Sequence, residues 1–220
     1  MKSNRSIVRQ SALGGPLAAA TFVAGVAGAQ VLSDAPYPRP GSSPDQIKRY
    51  FSDNAGPARV SITGQLISAA SLGTFAAAVV RLARDSRSGT RTLQAAAEVG
   101  GALSVATLTA SALYSLALTR GAATNPKTAT RFHQRAFLAG GPLHGPAIGL
   151  LVGSMGLAGL STGKLPRWLC VAALGTAAAG LLAPLALQVE QAVWLIPASR
   201  FPGLLLSAIA GVLLRRERSI

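Results

Sequence analysis

The only two histidines of this 220-residue chain, His133 and His144, sit in one stretch, RFHQRAFLAGGPLHGPAIGLLVGSMGLAG, residues 131–159. Imidazole is the side chain best suited to proton transfer near neutral pH and to metal or haem ligation. Eleven helical residues separate two side chains by about 16 Å of rise, so one helix cannot present both to the two faces of one iron. A haem held by His144 alone, or between two protomers, is the one cofactor route left, and no cofactor is expected. No metal site is expected either, because a single cysteine, Cys170, leaves the ligand set too poor. Cys170, close to Trp168, reads as a small buried residue. His133 stands between Arg131 and Arg135 and reads as a solvated residue at the edge of an apolar run. His144 lies about 12 Å inside that run, where an ionisable group faces the bundle interior and needs a partner. Two readings of it stand: a structural, hydrogen-bonded histidine, or one that handles a ligand or a proton.

The elements that would position these residues are membrane helices. Half of the residues are apolar, only 13% are charged, and the mean hydropathy is +0.40. Apolar runs of about 20 residues, separated by Arg-rich segments, define an all-α, polytopic membrane helix bundle of about six transmembrane helices. Residues 1–220 form a single membrane domain, with spans near 11–32, 60–80, 95–118, 136–160, 168–189 and 195–214. The last span starts between Ala192 and Pro197. Residues 33–59 form a polar outer loop in which DAPYPRPGSSP carries four prolines, followed by PDQIKRYFSDN, a short interfacial helix with Tyr50 and Phe51 at headgroup depth. Segments 81–91 and 119–135 are basic loops. Lys2, Arg5 and Arg9 before the first run, with Ala27-Gly28-Ala29 at its end, also fit a cleavable signal peptide. The length of the run favours an uncleaved first helix.

A net charge of +14 raises nucleic acid as a partner. The basic residues fall in the gaps between apolar runs and not on one face with aromatics, so no nucleic-acid partner is expected and anionic membrane lipids are. With the N-terminus inside, twelve basic residues lie in inner segments and nine in outer ones, counting the RRER cluster that ends at Arg218. Both termini are therefore expected in the cytoplasm, in a cell (plasma) membrane.

In that orientation Gln65, Tyr114, His144, Glu190 and Arg200 all fall toward the outer side and could converge on an outward-opening pocket that binds a ligand. Glu190 and Arg200 could pair, neutralising two charges that are costly at that depth. Glu98, near the inner end of the third span, could pair with Arg91 or Arg84. Pro142 and Pro146 flank His144, so GGPLHGP should be kinked or unwound. Gly141, Gly145, Gly149 and Gly153 recur every fourth residue, a small-residue stripe that reads as a helix-packing seam.

Several short motifs carry a resemblance. Tyr50, Phe51, Asn54, Ala55 and Gly56 form a YF-x-x-N-A-G segment before the second span. GGPLHG in the fourth span is a GGPGH-like turn with leucine where glycine is usual. Arg200-Phe201-Pro202-Gly203-Leu204 is an RFPGL-like start to the last span. Over residues 45–216 the chain resembles a family of bacterial six-helix integral membrane proteins of unknown function. The resemblance implies a fold and a bacterial membrane, and it carries no activity or catalytic residue.

The phosphate loop, H-E-x-x-H and C-x-x-C motifs are all missing from the sequence. Three functions remain. The first is a membrane protein binding a small apolar or amphipathic molecule in the outer pocket. The second is an intramembrane enzyme of isomerase or cyclase type, acting on a lipid or isoprenoid-like substrate with His144 or Glu190 as acid or base. The third is a structural or accessory subunit whose glycine stripe packs on a second copy or on a membrane partner.

Overall fold

A computed structural model describes residues 11–86, 91–121 and 124–216. Lys2, Arg5, Arg9, Arg87 and Arg218 of the charge pattern lie outside the described residues. Among the described residues eight α-helices are α1 Gly14–Leu32, α2 Pro44–Asp53, α3 Ala55–Arg84, α4 Arg91–Thr119, α5 Pro126–Gly140, α6 His144–Thr162, α7 Arg167–Leu182 and α8 Leu195–Arg216. Two short 3-10 turns, Ala183–Leu187 and Glu190–Trp194, join α7 to α8. No strand occurs among the described residues. Among the described residues six segments are long and apolar enough to cross a bilayer: α1, α3, α4, α5 with α6, α7 with its 3-10 turn, and α8 with the turn before it. The chain is thus a multi-pass, all-α integral membrane protein.

Three expected boundaries move, each for a local reason. The second span begins at Ala55, directly after α2, so 55–59 leave the loop and join α3. It also runs on through Arg81 to Arg84, because cations suit the negative end of a helix. The fourth span begins ten residues early, at Pro126. The Asn125 side chain accepts from the Thr128 amide (3.2 Å), and Pro126 supplies a preset first turn, so TATRFHQR is helix and not loop.

The GGPLHGP stretch breaks that span into α5 and α6, with residues 141–143 as a turn. Pro142 cannot donate to Leu138, whose carbonyl is taken instead by the Leu143 amide (3.0 Å). Pro146 falls in the first turn of α6, where its missing N–H leaves no gap in the ladder. The short helix α2 forms as expected: Ser43 and Gln46 make a reciprocal capping box and Pro44 opens the first turn.

Small residues set the packing, as expected where lipid gives helices no hydrophobic reason to associate. A Cβ on Gly149 would lie 3.0 Å from the Ala177 carbonyl oxygen, and one on Gly153 3.0 Å from the Ala177 side chain. Gly145 faces Ala183 and Gly180 in the same seam, between α6 and α7. Gly141 does not belong to it. It caps α5 in the break and faces Ile196 of α8 instead. A second close approach joins α1 to α3, where a Cβ on Gly25 would be 2.9 Å from Gly64 Cα. At the end carrying the termini, Lys164 pairs with Asp85 (2.6 Å) and Ser86 bonds Ser161.

Candidate functional site

Helices α1, α3, α4 and α5, with the first turns of α8, surround a cavity of about 830 Å³ at the opposite end of the bundle from the termini. A strap of residues 33–40, SDAPYPRP, crosses its mouth. With prolines at 36, 38 and 40 the strap has few amides to donate, so side chains pin it. The Asn54 Oδ1 accepts from Ser33 Oγ (2.8 Å) and from the Asp34 amide (2.9 Å). The Tyr37 ring meets Tyr50 (5.3 Å), Phe51 (5.9 Å) and His133 (5.8 Å). Tyr50, Phe51 and Asn54, three of the YF-x-x-N-A-G residues, therefore hold the strap.

Arg200 stands at the base of the cavity. Its guanidinium lies over the Phe22 ring, 5.2 Å from the centroid. Nε and Nη2 are buried and meet no acceptor, and Nη2 lies beside Gly140, where a Cβ would be 3.4 Å away. The ion pairs among the described residues are Lys164–Asp85 and Arg84–Glu98 (3.6 Å), so Glu98 pairs with the second of its two expected partners and Arg200 with none. A cation this deep without a countercharge is expensive, and such a group marks a place where charge is handled.

The five expected ligand-binding residues divide. Gln65 and Arg200 line the cavity together, with Gln65 also reaching Ser61 Oγ (3.4 Å). Glu190 does not approach Arg200. It opens an exposed 3-10 turn just past the end of the expected fifth span. Tyr114 lies outside the lining, its ring packed on Phe132 (5.6 Å) and under Arg135 (5.8 Å) on the α4–α5 surface. His144 is also outside the lining and almost fully buried at the start of α6. Its Nδ1 meets Thr107 Oγ1 at 3.0 Å. The Thr107 hydroxyl donates its one proton to the Leu103 carbonyl (2.7 Å), so toward the ring it accepts, and Nδ1 carries the imidazole proton. The bond ties the α5–α6 break to α4.

His133 is the residue that composition misplaced. It is 2% exposed, lines the cavity, and donates from Nε2 to the Arg39 carbonyl (3.2 Å), stitching the strap to α5. That bond leaves Nδ1 as the acceptor, buried and without a partner. The missed signal was Asn125-Pro126, which starts the helix early enough to set Ala129, His133, Ala136 and Gly140 on one buried face. Ser111, whose hydroxyl donates to the Ala136 carbonyl (2.9 Å), and Ser115 complete the polar wall. Phe22, Val26 and Ala29 of α1 form the apolar wall opposite. Among the described residues no group of three His, Cys, Asp or Glu gathers to hold a metal.

No family model, curated protein or solved structure matches this chain.

Proposed function

We propose that this membrane protein binds a small amphipathic molecule with an acidic head, and that the head supplies the countercharge for Arg200. One observation carries the reading: a guanidinium whose buried Nε and Nη2 meet no acceptor, lining a cavity of ligand size. The polar side, with Gln65, Ser111, Ser115 and His133, suits a head group, and the Phe22–Val26–Ala29 side suits an apolar body. Arginine fits the role because its planar fork meets two oxygens of a carboxylate or phosphate at once. With both termini in the cytoplasm, as the basic-residue bias favours, the cavity opens on the outer side. His144 and Glu190 then have no contact with the ligand, which removes the acid–base pair that an enzyme reading would use. The α6 glycine stripe is occupied by α7 of the same chain, which weakens its use as a docking face for a partner subunit.

The test is to purify the protein in mild detergent and identify by mass spectrometry what stays bound. One acidic amphiphile per chain is expected in the wild type and in Glu190→Gln, and not in Arg200→Gln. Retention of the same molecule by Arg200→Gln would refute the reading.

A further inference from the structure

Arg200 shares the cavity with a second side chain that has an unmet bond. His133 is 2% exposed, lines the same cavity, and its Nδ1 is buried with no partner among the described residues. The state of the ring follows from its other nitrogen. The Arg39 carbonyl, 3.2 Å away, can only accept, so Nε2 carries a proton. A second proton on Nδ1 would add another uncompensated cation to a cavity that already holds Arg200, at a high desolvation cost. The imidazole is therefore neutral, and Nδ1 offers a lone pair. Ser111, on the same wall, does not answer it, because its one proton goes to the Ala136 carbonyl.

The two unmet groups ask for opposite things. Arg200 takes an oxyanion, whereas His133 Nδ1 takes an O–H or N–H. A carbonyl, ether or second carboxylate oxygen at His133 would set lone pair against lone pair. An ammonium would satisfy the lone pair but bring back an uncompensated cation, which leaves a neutral donor. Helix α5 sets the spacing. Arg200 Nη2 lies beside the Gly140 position, and His133 is seven residues earlier on the same face, about two turns or about 10 Å of rise. Helix α1 supplies an apolar wall of the same length: Phe22 lies under the Arg200 guanidinium, and Ala29 is again seven residues away. We propose that the ligand is a hydroxy acid. Its acidic group meets Arg200, its apolar middle lies along Phe22, Val26 and Ala29, and its hydroxyl donates to His133 Nδ1 about 10 Å from the acid. This assignment rests on the reading that Arg200 holds an acid, and adds a second recognised group and the distance between the two. His133 thereby sets specificity as well as stitching the strap to α5.

The experiment titrates full-length protein in mild detergent, stripped of co-purified amphiphiles, by calorimetry at matched free probe concentrations. The probes are ω-hydroxydecanoate, its ω-methyl ether, decanoate and decanediol. The ether keeps the oxygen but cannot donate, and the diol keeps the donor but has no acid. In the wild type, ω-hydroxydecanoate should bind at one per chain, about tenfold or more tighter than the ether or decanoate, because those leave a buried acceptor without its donor. Arg200→Gln should weaken all three acids. His133→Phe, which keeps a ring, should remove the advantage of the hydroxyl and leave decanoate within about twofold of its wild-type affinity. If His133→Phe instead weakens the three acids alike, His133 acts only through the strap and the hydroxyl assignment falls. Equal wild-type affinities for the three acids, each still dependent on Arg200, overturn the hydroxyl and leave the acidic head standing. If decanediol binds as well as ω-hydroxydecanoate, if Arg200→Gln changes nothing, or if no acid binds, both readings fall. The wild-type comparison of the four probes decides the matter even where a variant fails to fold.

Discussion

Gly180 gives the sharpest test of how this bundle is held together. A Cβ there would sit 2.5 Å from the Gly145 carbonyl oxygen, 3.1 Å from Gly149 Cα and 3.3 Å from the Gly145 carbonyl carbon. All three neighbours are backbone, so no side chain can swing aside. Gly180→Ala must therefore push α6 and α7 apart by about 1 Å at this point, which forfeits a quarter to a half of the dispersion attraction across the seam. Overpacking of this kind costs about 1–3 kcal/mol. At roughly 2–4 °C per kcal/mol for a chain of this size, the apparent melting temperature in detergent should fall by several degrees. Gly175→Ala, in the same helix, is the control. A Cβ there meets nothing within 4 Å, and alanine is the better helix former by up to about 1 kcal/mol. It should be neutral or slightly stabilising. The measurement is thermal unfolding of both variants followed by circular dichroism. Equal melting temperatures would refute the claim that backbone contact at the glycines, rather than general apolar content, holds α6 on α7.

Two further variants separate structural from ligand-binding roles. His144→Ala removes a buried ring and its bond to Thr107, and should cost about 2–4 kcal/mol in thermal or denaturant unfolding. Retention of the proposed acidic amphiphile per folded chain should stay unchanged, because His144 lies outside the cavity; its loss from folded protein would count against that placement. Asn54→Ala frees Ser33 and Asp34 at once. Amide exchange across 34–40 should then rise well above wild type while exchange in α3 and α4 is unaffected, and an unchanged strap would show that Asn54 does not pin it.

The bundle was legible in the sequence because apolar length is a direct physical requirement of crossing a bilayer. Six spans, the α2 helix and the proline break at 141–143 all followed from composition and two prolines. Span edges were less legible, since Arg81 and Arg84, and the whole of TATRFHQR, are polar yet helical. That one edge carried the main error at the site: with the helix starting at Ala136, His133 was a loop residue, and starting at Pro126 it is a buried one. The cavity itself was only half legible. Gln65 and Arg200 were recognisable as polar groups in apolar runs. Phe22, Ser111 and Tyr37 carry no such mark, because an aromatic, a serine or a prolyl-rich segment becomes a wall only when helices far apart in sequence meet. Glu190 was misplaced because apolar composition does not distinguish a spanning helix from a 3-10 hairpin at its end.

Helices α1 and α8 meet in this fold: the Gly211 position of α8 faces the Ala12 carbonyl, and the Gly15 position of α1 faces the Ser207 carbonyl. Helix α1 leaves the ribosome before α8, so α1 must wait through the synthesis of four other spans with its glycine face open to lipid. Arg200 likewise enters the bilayer before the Phe22 ring can cover it. Completion of the cavity is therefore a late, long-range event in assembly. A chain stalled before α8 would hold most of its helices correctly and still lack Arg200 and Ile196 from the cavity lining, which makes α8 a natural checkpoint for quality control in the membrane.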